Sequence, residues 1–105
     1  MKKIFLLTCL ISLYSCAQDK KWKMVWNDEF NYTGLPDSTK WTAEVGGHGW
    51  GNNELQYYTA GRKENARVEK GMLTIEARKE NREDKDFTSA RLITKHKGDW
   101  QYGKI

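Results

Sequence analysis

Acid–base work on one bond needs two titratable groups facing the same point, and this sequence offers few candidates. Asp28 and Glu29 are adjacent carboxylates, but neighbours in an extended chain point to opposite faces and cannot flank one bond. They read as structural groups or as oxygens for a cation. His48 and His96 are far apart and lack any Cys, His or carboxylate at metal-finger spacing, which argues against zinc. Each reads as a plain polar residue. No serine or cysteine sits in a nucleophile elbow, and no phosphate loop is present. The densest functional chemistry lies in Gly46-Gly47-His48-Gly49-Trp50-Gly51-Asn52-Asn53-Glu54-Leu55-Gln56-Tyr57-Tyr58-Thr59. Its glycines open backbone regions closed to other residues, and its second half has strand composition. Indole faces pack on the C–H faces of sugars, while amides and carboxylates take sugar hydroxyls. The same run also reads as a surface turn with one exposed tryptophan.

The elements that must position this stretch read as strands. Trp22, Met24 and Trp26 alternate with polar or smaller residues up to Phe30, a period of two that predicts a first strand. Asn31 to Ser38 is turn chemistry, and Trp41 to Val45 is a second strand leading into the glycine loop. Ala66 to Glu69 and Met72 to Arg78 read as two strands around Lys70-Gly71, with Gly71 supplying a positive φ. On the latter strand Leu73, Ile75 and Ala77 share the expected apolar face. Lys79 to Asp86 is almost wholly charged and without periodicity, which predicts a solvated loop. Phe87 to Lys95 is strand-like, and its Arg91 either faces solvent or is placed to bind. His96 to Asp99 turns, and Trp100 to Ile105 opens a further strand that the sequence leaves without a closing turn. The reading expects a truncated sequence. No convincing amphipathic helix follows the amino-terminal segment, so the fold class is all-β, and short strands with glycine turns indicate a sandwich.

Met1-Lys2-Lys3 followed by an apolar run to Leu13 has the pattern of a secretory signal, too short for a permanent span. Leu13-Tyr14-Ser15-Cys16 resembles a bacterial lipobox, which implies a signal peptide over 1–15 and lipid on Cys16; the other reading is an ordinary signal cut near Ala17. Several acyl chains give stable anchoring. Residues 16–21 then form the lipidated cysteine and a polar tether, and residues 22–105 one domain. Cys9 leaves with the signal and Cys16 carries lipid, so no disulfide framework is inferred. Removing Lys2 and Lys3 lowers the formal charge from +4 to +2, which leaves no electrostatic footprint for nucleic acid.

Read together, Trp26-Asn27-Asp28-Glu29-Phe30, Trp41, the run from Gly49 to Thr59, Asn65-Ala66-Arg67-Val68 with Gly71-Met72-Leu73-Thr74-Ile75, Thr88-Ser89-Ala90-Arg91-Leu92 and Tyr102-Gly103-Lys104-Ile105 form an ordered set. That set resembles the amino-terminal part of glycoside hydrolase family 16, above all its bacterial laminarinases, the endo-β-1,3-glucanases. The resemblance runs from Trp22 to Ile105. It implies a concanavalin A-like antiparallel β-jelly roll with a cleft for a β-glucan chain. It further implies substrate contacts through Trp50, Asn52, Glu54 and Arg91, and one structural calcium ion with Glu29 and Gly71 among its ligands. Oxygen ligands suit that ion. The implied protein is a monomer bound to β-glucan and lipid-anchored at the outer membrane or cell surface of a Gram-negative bacterium.

One departure matters most. The family's Glu-x-Asp-x-x-Glu triplet, sometimes with one extra residue, is absent from this sequence. On a strand it would aim nucleophile and acid/base to one side, with carboxyl groups roughly 5 Å apart as retention requires. The expectation is therefore a truncated retaining endo-β-glucanase that is inactive as given. The alternative is a non-catalytic glycan-binding surface lipoprotein on the same sandwich, and a third reading is a small structural lipoprotein.

Overall fold

The computed structural model describes residues 21–105. The signal-like segment, the lipobox with Cys16 and nearly all of the tether lie outside the described residues.

The strands are β1 (Thr42–Glu44), β2 (Gln56–Tyr58), β3 (Ala66–Glu69), β4 (Met72–Ile75), β5 (Arg78–Arg82), β6 (Lys85–Ser89) and β7 (Arg91–Ile93), with a 3₁₀ turn at Gly49–Gly51 between β1 and β2. β1 pairs antiparallel with β7, and β3 with β4. A three-stranded sheet has the order β2-β6-β5. Its β5–β6 pair is antiparallel, whereas β2 and β6 run parallel, an exception to the antiparallel expectation. Isolated bridges add Gly34 to Val68 of β3 and Gly46 to Tyr58 of β2.

The β3–β4 hairpin is set by its turn. Lys70 (φ 53°) and Gly71 (φ 76°) both take positive φ, the backbone twist that matches a two-residue hairpin. Val68 is fully buried and is clamped on its other edge, its N–H donating to Gly34 O at 2.8 Å. The predicted apolar face of β4 is only partly covered, since Leu73 is half-buried and Ile75 and Ala77 are exposed. Among the described residues the buried apolar side chains are few: Tyr58, Ala66, Val68 and Ala90. A cavity of about 170 Å³ beside them is lined by Leu35, Pro36, Trp41, Ala43, Ala66 and Leu92, among others.

Three expectations are corrected. Trp22 to Phe30 forms no strand. Trp22 and Met24 are each 72% exposed, so their alternation marks no buried face, and Asp28 instead organises the segment from Phe30 to Trp41. Its side chain is 2% exposed and accepts from Trp41 Nε1 (2.8 Å), Phe30 N (3.1 Å) and the Tyr32 hydroxyl (3.3 Å). Lys40 Nζ lies 3.8 Å away. Burial pushes the Asp28 carboxyl pKa up, but these donors and the Lys40 charge outweigh it and hold the group below its usual value. Phe30 takes φ 53°, so the chain wraps around the carboxylate instead of extending. Asp28 is structural, as one of the two sequence readings held.

The charged run is not a loop but most of the β5–β6 hairpin, turning at Glu83 (φ 51°). A ladder needs backbone pairing and one inward contact, not an apolar face. Here Glu80 supplies that contact, accepting from Arg62 Nη1 at 2.8 Å and from the buried Thr88 hydroxyl. The third correction is Trp100 to Ile105, which carries bends but no strand. The turn before it is present as expected, with Lys97 N and Gly98 N both donating to Thr94 O.

Candidate functional site

The glycine loop is built around the Trp50 indole. Gly46 takes φ 144°, a backbone conformation that favours glycine, and packs against the indole, since a Cβ there would sit in van der Waals contact with Trp50 Cη2 at 3.4 Å. Its N–H and C=O bridge Tyr58, which ties the entry of the loop to β2. Trp50 itself takes φ 45°, ψ 34°, a left-handed conformation that a bulky residue adopts only when its surroundings impose it. His48 does so from two residues upstream: its Nδ1 accepts the Trp50 N–H at 3.2 Å. Its ring stacks on the indole at 3.9 Å with planes 24° apart. Accepting through Nδ1 places the neutral imidazole proton on Nε2.

Two further groups close on the same ring. Tyr58 of β2 meets it edge-on at 5.0 Å and 82°, the arrangement that aromatic quadrupoles favour. Arg91 of β7 brings its guanidinium carbon 5.3 Å from the indole centroid, within cation–π range. Arg91 reaches this place from a strand register that sets it opposite Glu44 of β1, and its Nε donates to Glu44 Oε2. That hydrogen bond to a carboxylate, opposed by partial desolvation, raises the Arg91 pKa further.

Glu54 lies just beyond the 3₁₀ turn, and its Oε2 is buried without a hydrogen-bond partner among the described residues. Burial first, and the hydrogen-bonding approach of the Glu54 carboxylate second, push the Tyr58 hydroxyl pKa up, so Tyr58 is the donor that faces Glu54 although it lies outside hydrogen-bond geometry to Oε2. That hydroxyl accepts from Gln56 Nε2 at 2.8 Å. Asn52 caps the turn, its N–H donating to Gly49 O at 2.8 Å, and its side chain is exposed.

Of the sequence-predicted sugar contacts, Trp50 and Arg91 touch each other, Glu54 joins them through Tyr58, and Asn52 stands two residues along the chain, exposed. The two predicted calcium ligands lie elsewhere. Glu29 is exposed and takes a 3.3 Å hydrogen bond from Asn27 Nδ2, while Gly71 is exposed in the β3–β4 turn. No cluster of three His, Cys, Asp or Glu residues suited to a metal occurs among the described residues. A carboxylate and a backbone carbonyl are the right donors for calcium but only part of its usual six to eight oxygens. Sequence reasoning missed Glu44, His48 and Tyr58 as members of the Trp50 cluster. The i, i+2 spacing of His48 and Trp50 was a usable signal, whereas Glu44 emerges only from the β1–β7 register.

No family model matches the chain. A β-glucanase of Rhodothermus marinus is 54% identical over 106 residues, covering 96% of this chain and 37% of the relative. The solved laminarinase of Rhodothermus marinus superposes with a TM-score of 0.76 at 61% identity, over 79% of this chain and 33% of that one. A non-specific endo-β-1,3(4)-glucanase of family GH16, crystallised with a β-1,3-linked cellobiosyl-glucose at its active site, gives a TM-score of 0.72 at 49% identity. It covers 77% of this chain and 36% of that one. These relatives are laminarinases and β-glucanases of glycoside hydrolase family 16. The described residues are nearly all β in their regular structure and superpose on part of the family 16 laminarinase jelly roll. The chain spans about a third of the length of these relatives.

Proposed function

We propose that this chain is the sugar-gripping part of a retaining endo-β-glucanase acting on β-1,3- or mixed β-1,3/1,4-glucans. One observation carries the reading. Residues from three separate places, Trp50 in the loop, Glu54 before β2 and Arg91 in β7, converge with hydrogen-bonding capacity left over, in a fold similar to laminarinases. The Glu54 carboxylate faces the Tyr58 hydroxyl and keeps acceptor capacity on Oε2, and a sugar hydroxyl is a donor that could fill it. Trp50 offers a pyranose the part of its indole that His48, Tyr58 and Arg91 leave uncovered, Arg91 donates to sugar oxygens, and the exposed Asn52 side chain reaches hydroxyls. The residues hold and orient the glucan. The 105 residues carry no Glu-x-Asp-x-x-Glu triplet, so this polypeptide by itself is expected to leave the glycosidic bond intact.

Three further parts of the proposal rest on sequence resemblance. Glu29 and Gly71 contribute to one structural calcium site. Cys16 is lipidated and anchors the protein at the outer membrane or cell surface. The protein acts as a monomer. The functional reading is tested on the protein encoded by the complete gene. Trp50→Ala is expected to lower kcat/KM on β-1,3-glucan about tenfold or more, the loss of one stacked aromatic contact of roughly 1.5 kcal/mol or above. An unchanged kcat/KM removes Trp50 from the site.

A further inference from the structure

We infer that Glu44 is a positioning residue for glucan binding: it fixes Arg91 so that the guanidinium lies over the Trp50 indole with its terminal nitrogens turned to the ligand. The inference rests on the proposed glucan-binding function and extends it to a residue that the sequence motifs do not single out. Glu44 and Arg91 are register partners across the β1–β7 pair, so the contact joins side chains 47 positions apart in the chain. Glu44 engages the Nε–H, the donor nearest the aliphatic stem. An arginine has five N–H donors in a fixed planar fork. Among the described contacts, Glu44 takes only one of them, leaving the four N–H groups on the two terminal nitrogens for a ligand. Holding Nε also sets the plane of the whole fork, whose central carbon lies 5.3 Å from the indole centroid.

A surface ion pair of this exposure, with side chains 38% and 32% exposed, contributes little to stability. Its effect on the orientation of Arg91 is separable from its effect on folding. Without Glu44 the guanidinium retains its charge but loses its fixed direction, and part of the ordering cost moves to the binding step.

The test is a double-mutant cycle on the protein encoded by the complete gene. Calorimetry measures its affinity for a thio-linked, non-hydrolysable β-1,3-gluco-oligosaccharide. Glu44→Ala is expected to weaken binding about tenfold, a change typical of losing one charge-assisted hydrogen bond. Glu44→Gln, whose carbonyl still accepts the Nε–H, should return to within about threefold of wild type. In an Arg91→Ala background Glu44→Ala should add nothing. Where Glu44→Ala does not fold, Glu44→Asp serves in its place, because its carboxylate is drawn back by one methylene and should weaken binding severalfold. Wild-type affinity in Glu44→Ala or Glu44→Asp, alongside weakened binding in Arg91→Ala, overturns the positioning role and leaves the functional reading intact. So does full additivity of Glu44→Ala and Arg91→Ala. Wild-type affinity in both Arg91→Ala and Trp50→Ala overturns the functional reading itself, and this inference with it.

Discussion

Two polar clusters in this fold use similar residues, and they differ in whether their hydrogen bonds close among themselves. The first runs from β2 to β5 through the interior. The Thr59 hydroxyl donates to Asn65 Oδ1 at 2.7 Å, and Asn65 Nδ2 donates to Thr88 Oγ1 at 3.0 Å and Glu76 O at 3.1 Å. The Thr88 hydroxyl donates to Glu80, which Arg62 holds from the other side. Each of these groups has a partner, and Asn65 and Thr88 are fully buried. The second cluster, around Trp50, has a Glu54 oxygen outside the hydrogen-bond reach of any donor among the described residues and an arginine with donors to spare among them. A closed network specifies and stiffens a fold. An open one carries a standing cost that a ligand can relieve, and active regions commonly trade stability for function in this way.

The contrast can be broken at either end. The largest effect is expected from Asn65→Ala, which leaves the Thr59 and Thr88 hydroxyls and the Glu76 carbonyl short of a buried partner. Denaturant unfolding of the protein encoded by the complete gene should show a loss of about 2–4 kcal/mol. A loss below about 0.5 kcal/mol, the scale of ordinary surface substitutions, would show that the network is not a scaffold. Glu54→Gln should reverse the pattern. Its melting temperature should stay level or rise, while the KM for β-1,3-glucan rises severalfold; a fall in melting temperature with unchanged KM would place Glu54 in the scaffold instead.

The smallest expected effect is the response to acid. Arg62 and Thr88 lower the Glu80 pKa from 4.5 to about 2. A carboxylate whose folded pKa is depressed contributes stability above its unfolded pKa, and that stability is lost as pH falls through the folded value. The Glu80 contribution should therefore fade between about pH 4.5 and pH 2. Glu80→Gln should flatten that part of the melting-temperature profile, with the Asp28 contribution still present. An identical acid limb in the variant would assign the loss to other groups.

How much of the fold was legible in the sequence depended on where the signal lay. The β3–β4 hairpin was readable because Lys70-Gly71 announces its own turn. β1 and β2 were readable because they flank a glycine loop of evident composition. The β5–β6 hairpin was not, because its stabilising contacts run from Glu80 to Arg62 and Thr88, neighbours only after folding. The alternation at Trp22 to Trp26 misled for the opposite reason. A period of two implies a strand only where a partner strand is available, and in this segment the Asp28 carboxylate dictates a wrap. The candidate site divided in the same way. Trp50, Asn52, Glu54 and Arg91 stood out by residue type and motif, whereas Glu44 and Tyr58 became visible only through strand pairing and ring contacts.

The central claim, that the Trp50–Arg91 cluster grips a glucan chain, is tested most directly by a crystal structure. It would be determined for the protein encoded by the complete gene, with a β-1,3-gluco-oligosaccharide bound. The account predicts a pyranose ring in van der Waals contact with the Trp50 indole, about 4 Å away. It also predicts a sugar hydroxyl donating to Glu54 Oε2 and another accepting from a terminal nitrogen of Arg91. An oligosaccharide seated on a different face, with Trp50, Glu54 and Arg91 all free of sugar, would contradict it.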